Sequence, residues 1–219
     1  MGYNSPSRRD GTASGPPATK GARTMQHHPE ILGPPGTLLV IIDVQERINA
    51  VMADQVHLPR ITVLHRAFTT LGLPVLVTEQ YPKGLGPTVP ELARLLDAPP
   101  LVKDTFSCAR DEAFLGALER HRPHRVVVTG IEAHVCVAQT VLDLLHAGYQ
   151  VQVPHDAVRS RRKADMKWAL RRLHAAGAVV TSTESALFEL LDSCTSPHFK
   201  AVSALVKELP VGKGQGART

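Results

Sequence analysis

Three side chains that together can form a nucleophilic site are spread along the chain: Asp43, Lys103 and Cys136. A thiolate can attack a carbonyl carbon, a carboxylate can accept the thiol proton, and an ammonium group can stabilise the resulting charges. Cys136 precedes a predicted helix, where the positive end of the helix dipole is expected to lower the thiol pKa below its free value of about 8.5. Unpaired backbone N–H groups in the same turn suit an oxyanion.

Each of these residues also has a purely structural interpretation. A carboxylate that ends a strand is often an N-cap, a free cysteine is often a small buried apolar residue, and an isolated lysine is usually exposed. Their placement favours chemistry, because each follows an apolar run that predicts a strand. In a doubly wound sheet the carboxyl ends of such strands meet at one crevice.

The elements that position these residues are predicted from hydrophobic periodicity. Continuous apolar runs are typical of parallel strands buried on both faces, and helical patterns separate most of them. This alternation predicts βαβ units and therefore one α/β domain with a doubly wound parallel sheet, a Rossmann-like three-layer αβα arrangement. The strand predictions are residues 37–43, 73–78, 125–129, 149–154 and 178–181, with a short strand before Lys103; the helix predictions are 58–71, 112–120, 135–146 and 164–176.

Composition divides the chain into three parts. Residues 1–36 are rich in Gly, Pro, Ser and Thr, and such a segment has too little apolar surface to offset its ordering entropy. We therefore expect a disordered tail over 1–36, a hydrolase domain over 37–209 and a flexible C-terminal tail over 210–219. Hydrophobic residues make up 43% of the chain, which is enough for a sizeable core.

Charge and cysteine usage limit the partners and the compartment. The formal net charge is +5, but aromatic residues are only 4% of the chain, so we expect no nucleic-acid binding. The basic cluster at residues 159–163 is interpreted as a solvated face. Three cysteines, no secretory signal and no long apolar run predict a cytoplasmic protein without disulfides or a membrane span.

Three motifs resemble those of isochorismatase-like cysteine hydrolases. Residues 39–45 match an apolar strand followed by Asp-x-Gln, residues 103–107 match the family's lysine segment, and Gly130 to Val137 match its Gly-x-x-x-x-x-Cys-Val elbow. The motifs occur in the expected order. Residues 78–88 and 130–133 are most similar to the isochorismatase domain-containing hydrolases within that family.

The resemblance implies a mechanism and a set of roles. Asp43 would take the proton of Cys136, Lys103 would stabilise the charges of that pair, and the thiolate would attack an amide or related carbonyl to form a thioester. Backbone N–H groups of Glu132 and Cys136 would hold the oxyanion. The family often has a non-proline cis peptide in this elbow, which here would join Ile131 to Glu132, and its members commonly form dimers or larger homo-oligomers.

Two departures from relatives narrow the activity. Nicotinamidases in this family bind a metal through an Asp-x-His segment after the second strand, whereas residues 79–82 contain no His, so we expect neither a metal nor another cofactor. Isochorismatase itself cleaves a vinyl ether and lacks the cysteine. The predicted function is a metal-independent cysteine hydrolase of a small amide-like substrate. The alternative is a catalytically idle homologue that serves as an oligomeric binding or scaffold protein.

The substrate pocket is expected to be lined by Gln45, Glu79, Tyr81 and Cys108. Residues 79–100 follow a predicted strand and form a long loop rich in Gly and Pro, which at the carboxyl end of the sheet is typical of a pocket wall. Two roles remain open for Glu79. It either selects a polar or cationic substrate group, or pairs with a Lys or Arg and orders the loop.

Overall fold

A computed structural model describes residues 27–52 and 54–210 of the chain. Its centre is a seven-stranded sheet, in which the strands follow the order β3-β2-β1-β4-β5-β7 and β6 lies beside the end of β4. Every pairing is parallel. The predicted doubly wound sheet is therefore confirmed. The strands are β1 Thr37–Ile42, β2 Val75–Gln80, β3 Leu101–Lys103, β4 Arg125–Ile131, β5 Gln150–Pro154, β6 Val158–Arg159 and β7 Val179–Thr181.

Helices cover both faces of this sheet. Alternate residues of β1 point to opposite faces, and all six are buried, which explains its unbroken apolar run. Leu38 and Val40 pack with α5, α6 and α7, while Leu39 and Ile41 pack with α2, α8 and α9. The helices are α1 Glu46–Ala50, α2 His57–Thr70, α3 Pro82–Leu85, α4 Pro90–Ala93, α5 Glu112–His121, α6 Ala138–His146, α7 Lys163–Ala175, α8 Thr183–Leu191 and α9 Phe199–Lys207.

The carboxyl end of β4 differs from the prediction in two ways. Its last residues, Gly130 and Ile131, pair with β6, a strand of two residues that is too short to give a periodic signal. A π-helical turn, Ala133–Val137, then precedes α6. Gly130 has φ +114°, and a Cβ there would lie 2.1 Å from the carbonyl oxygen of Ile42. Glycine therefore lets β4 and β1 approach closely beside the candidate site.

The N-terminal boundary of the domain needs correction. Residues 27–36 were expected to belong to a tail, but they pack against the sheet and α8. Leu32 is 3% exposed and joins the core on that face. Its N–H donates to Glu189 Oε2, and Gln152 Nε2 donates to the carbonyl of Glu30. One apolar anchor and two partly buried hydrogen bonds thus order a segment whose composition alone predicts disorder. The rest of that predicted tail, and residues 211–219, lie outside the described residues.

Candidate active site

Asp43 lies directly after β1 and forms the centre of a buried polar cluster. Its backbone has φ +54°, a left-handed conformation that Asp tolerates better than most residues and that redirects the chain at the strand end. The carboxylate accepts hydrogen bonds from Thr78 Oγ1 at 2.7 Å and from Lys103 Nζ at 2.8 Å. Asp43 and Lys103 are each only 2% exposed, so these bonds form almost out of contact with solvent.

Lys103 ends β3 and is held by three oxygen atoms. Besides Asp43, its ammonium group donates to Gln80 Oε1 at 2.7 Å and to the carbonyl of Thr105 at 3.2 Å. Burial lowers the pKa of Lys103, but the Asp43 carboxylate and the neighbouring thiols raise it more, so the net pKa lies above its usual value. Lys103 is therefore a fixed positive charge rather than a proton donor.

Cys136 lies in the π-helical turn, and its thiol lies beside the Asp43 carboxylate at the same cavity. The predicted lowering of its pKa is wrong. Burial raises the pKa of the Cys136 thiol far above its ordinary value, and the Asp43 carboxylate raises it further, against the opposing effect of Lys103. Desolvation and the adjacent anion thus outweigh the helix dipole. The resting pair is a neutral thiol beside an ionised carboxylate, the arrangement in which Asp43 can accept the thiol proton.

A cavity of about 140 Å³ opens onto Asp43 and Cys136. None of the four residues expected to line it does so. Along β2 successive side chains alternate, and Gln80 rather than Glu79 faces the cavity. The elbow residue Glu132 lines it as well. The full lining is Asp43, Ile48, Gln80, Leu85, Phe106, Ile131, Glu132, Val135 and Cys136.

Glu79 orders the loop instead of facing the cavity. Its Oε1 accepts hydrogen bonds from the backbone N–H of Thr88 at 2.6 Å and from Thr88 Oγ1 at 2.7 Å. Glu79 is therefore not part of the lining of the Asp43–Cys136 cavity, and within residues 27–52 and 54–210 its carboxylate pairs with Thr88 rather than with a Lys or Arg. The loop-ordering role is the one that the contacts support.

Gln45, Tyr81 and Cys108 lie around the cavity without lining it. Gln45 is fully buried and exchanges hydrogen bonds with the backbone of Gln80, which fixes the end of β2. Tyr81 is 54% exposed and precedes α3. Cys108 lies behind the site, where its thiol contacts Thr78 Oγ1 at 3.8 Å and burial raises its pKa to about 11. Their predicted role as pocket residues is corrected accordingly.

The elbow around Cys136 is hydrogen-bonded to Ser160 and Arg161, which follow β6. The predicted cis peptide between Ile131 and Glu132 is confirmed. Glu132 Oε1 accepts hydrogen bonds from Arg161 N at 3.0 Å and Arg161 Nε at 3.1 Å. His134 bonds through Nδ1 to Ser160 Oγ and does not line the cavity.

The contact between Glu132 and Arg161 could not be predicted from a local pattern, because the two residues are 29 positions apart. Arg161 was part of a basic cluster interpreted as a solvated face. Within that cluster Arg159 pairs with Asp54 at 2.8 Å and Arg162 lies 3.8 Å from Asp165. The cluster therefore consists largely of ion pairs, of which the one with Glu132 reaches the site.

Comparisons with known proteins agree with this geometry. The isochorismatase domain matches residues 37–185. The "Secreted isochorismatase effector Isc1" of Phytophthora sojae is 40% identical over 187 residues, covering 80% of this chain and 86% of that protein. "Isochorismatase domain-containing protein 2" of Danio rerio is 36% identical over 172 residues, covering 78% of this chain and 87% of that protein. A solved structure described as the MAR1 ribonuclease of Caenorhabditis elegans is 36% identical with a TM-score of 0.74, covering 82% of this chain and 94% of that one. The chain belongs to the isochorismatase family of hydrolases.

Proposed function

We propose that the chain hydrolyses a small amide through a thioester on Cys136, without a metal ion. One observation carries this proposal: the Asp43 carboxylate binds the Lys103 ammonium group and lies beside the Cys136 thiol, and both Asp43 and Cys136 line the same cavity. A nucleophile, its base and a stabilising cation thus meet at one surface, as nucleophilic catalysis requires.

The reaction follows from these contacts. Asp43 accepts the Cys136 proton while the sulfur attacks the amide carbon, which gives a tetrahedral oxyanion. The protonated Asp43 then donates its proton to the nitrogen, the C–N bond breaks, and ammonia or an amine leaves a thioester. Asp43 next takes a proton from water, whose oxygen attacks the thioester. Collapse releases the carboxylic acid and returns the proton to Cys136, so the enzyme is regenerated.

The elbow is suited to hold the oxyanion. We assign this role to the backbone N–H groups of Glu132 and Cys136. Within the part of the chain that the structure describes, the N–H of Glu132 donates to no backbone carbonyl, while its carbonyl accepts from Val135 and Val137 at 3.0 and 3.3 Å. A free N–H that points at the oxygen of the tetrahedral intermediate stabilises its developing negative charge, and loss of one such donor typically reduces kcat about 100-fold to 1000-fold.

The alternative of an idle scaffold fits the polar cluster poorly. Burying an ionised Asp43 and Lys103 carries a desolvation penalty of several kcal/mol per ion, which their mutual attraction offsets only in part. A binding surface elsewhere on the fold gains nothing from that arrangement. A catalytic role accounts for this cost, because the Asp43–Lys103 pair controls the proton of Cys136.

A ribonuclease activity, the one named for the C. elegans relative, is a second possibility. The cavity of about 140 Å³ is smaller than the roughly 300–1,000 Å³ typical of pockets for drug-sized ligands, and a nucleotide belongs to that size class. The basic side chains next to the elbow are engaged in ion pairs. We therefore favour the small amide.

The test is ammonia release from a panel of small primary amides, with a labelled single-stranded RNA incubated in parallel. We expect Cys136→Ala to lower kcat/KM at least 1000-fold, and Cys194→Ala, which removes an exposed cysteine, to leave it unchanged. Activity should survive treatment with EDTA. Equal turnover by Cys136→Ala, or restoration by zinc after chelation, would refute the thioester mechanism or its metal independence. RNA cleavage that needs Cys136, without amide turnover, would favour the ribonuclease.

We also propose where the protein is located and how it assembles. No helix in the described ranges is long and apolar enough to cross a membrane. The P. sojae relative is named a secreted protein. We retain a cytoplasmic location and a homo-oligomer as expectations, to be checked by cell fractionation and by light scattering after size exclusion.

A further inference from the structure

We propose that the substrate is an uncharged primary amide with a short apolar group, and that Glu132 excludes substrates that carry a carboxylate. This inference rests on the proposed hydrolase function and names its substrate class. It comes from the size of the cavity, from the chemistry of its walls and from the position of the two cations nearest to it.

Size and apolar walls restrict the group attached to the amide. A cavity of about 140 Å³ has room for about five water molecules, at roughly 30 Å³ each, and so for a ligand of a similar number of non-hydrogen atoms. Five of its nine lining residues are apolar. A short branched or linear alkyl group fits these walls, which are formed by Ile48, Leu85, Phe106, Ile131 and Val135.

Apart from the backbone N–H groups assigned to the oxyanion, the polar walls offer more hydrogen-bond acceptors than donors. Gln80 accepts from Lys103 through Oε1 and donates one Nε2 hydrogen to the carbonyl of Asp104, which leaves at most one of its side-chain N–H groups for a ligand. Besides that N–H and the Cys136 thiol, the side chains offer a ligand carboxylate oxygen from Asp43 and Glu132. Both hydrogen bonds from Arg161 go to Glu132 Oε1, and Oε2 accepts none from residues 27–52 and 54–210. The NH₂ group of a primary amide supplies the two donors that such walls require.

The cations that neutralise these carboxylates lie outside the cavity. Lys103 approaches Asp43 from behind, with its side chain 1% exposed, and does not line the cavity. Arg161 contacts Glu132 from the outer surface, where its side chain is 57% exposed. A carboxylate on a bound ligand would therefore meet two negative groups in a confined space and no free positive group. Such repulsion is strong where little solvent screens it.

The experiment compares two primary amides of equal size. Isovaleramide and malonamate have the same number of non-hydrogen atoms, and differ in carrying an isopropyl group or a carboxylate. For the wild-type protein we expect kcat/KM to be at least 100-fold higher for isovaleramide. Glu132→Gln should reduce that ratio at least 10-fold, because it removes a negative wall. Arg161→Met should increase it, because it leaves Glu132 without its cation.

Arg162→Met is the matched control. It removes an arginine next to Arg161 that pairs with Asp165 and not with Glu132, so the ratio should not change. A wild-type ratio near one would overturn the proposal while leaving the hydrolase function intact. The same follows if Glu132→Gln and Arg161→Met both leave the ratio unchanged.

A binding measurement separates failure of this proposal from failure of the hydrolase function. Absence of ammonia release from every amide would count against the function. In that case the two ligands are titrated into Cys136→Ser and followed by backbone amide NMR shifts at Val135 and Glu132. Isovaleramide binding at least 10-fold more tightly than malonamate would support the specificity. Equal affinity, or no binding of either ligand, would overturn it.

Discussion

At the scale of single residues, the site depends on how Asp43 divides its contacts. One oxygen accepts from Thr78 and the other from Lys103, and the Cys136 thiol lies beside the same carboxylate. Two buried charges then depend on each other for stability. Removal of either one leaves an uncompensated ion in a region that water barely reaches.

Lys103→Met should therefore lower the free energy of unfolding by about 3–5 kcal/mol, because Asp43 loses its buried cation partner. The double variant Asp43→Asn/Lys103→Met should recover most of that loss, since neither charge remains. Urea unfolding measures both effects. Lys207→Met, at an exposed position in α9, is the control and should change stability by less than about 0.5 kcal/mol. A Lys103→Met variant as stable as this control would show that the pair contributes nothing.

The raised pKa of Cys136 gives a second prediction. A thiolate is the species that iodoacetamide alkylates, and a thiol whose pKa is raised supplies little of it at neutral pH. Cys194 is exposed whereas Cys108 and Cys136 are buried. We expect mass spectrometry to show alkylation of Cys194 first in the folded protein, and similar rates at all three cysteines in urea. Preferential labelling of Cys136 at pH 7 would instead support the lowered pKa expected from the helix dipole alone.

At the scale of elements, much of the fold and of the site could be predicted from the sequence. The long parallel strands are buried on both faces, so their apolar runs are continuous and unambiguous, as in β1. The three catalytic candidates follow strands β1, β3 and β4, whose carboxyl ends meet at one edge of a sheet. Residue type and topology are therefore enough to bring Asp43, Lys103 and Cys136 together.

What could not be predicted depends on contacts between distant segments. Whether Glu79 or Gln80 faces the cavity is decided by the pleat of β2 at its last residues, where both side chains are polar and no hydrophobic alternation marks the faces. The strand β6 is too short to carry a pattern, and its pairing with β4 arises from tertiary contacts. The pKa of Cys136 depends on burial and on Asp43, and neither is local to the helix that suggested a lowered value.

The N-terminal segment gives a test at this scale. Leu32 is the buried residue that joins residues 27–36 to the core, and Leu32→Ala should lower the free energy of unfolding by about 2–4 kcal/mol, because it leaves a cavity on that face. Leu115→Ala in α5 is the matched control, since Leu115 is 38% exposed and its truncation should cost less than about 1 kcal/mol. Equal effects of the two substitutions would mean that the segment adds no packing energy.

At the scale of the whole molecule, stability should depend on pH through a buried histidine that takes no part in the proposed catalytic chemistry. His57 begins α2, is fully buried, and bonds through Nε2 to Asn49 Oδ1 at 2.8 Å, so Nε2 carries the proton and the ring is neutral. Burial lowers the pKa of His57 to about 4, helped by the positive charge of Arg159 and opposed by Asp54. The buried His65 also has a lowered pKa, because of its burial.

The direction of the effect follows from proton binding. Between the ordinary pKa of 6.5 and the folded value of about 4, the unfolded chain binds a proton at His57 that the folded protein does not. Folding stability must therefore fall as pH decreases through this range, by about 3 kcal/mol from this group at roughly 1.4 kcal/mol per pKa unit. Below pH 4 both states bind the proton and the contribution stays constant. Above pH 6.5 neither state binds it, so the full stability is present there.

His57→Gln removes the pH-dependent contribution of His57 to stability, because a glutamine amide can still donate to Asn49 Oδ1 but does not titrate. We expect the free energy of unfolding of the wild-type protein to fall between pH 6.5 and pH 4 by about 3 kcal/mol more than that of the variant. His174→Gln in the last turn of α7 is the control, since that side chain is exposed. Carboxylates that titrate near pH 4 affect all three proteins alike and cancel in the comparison. Parallel pH profiles for wild type and His57→Gln would mean that His57 is protonated without cost, and that the acid sensitivity of the fold has another source.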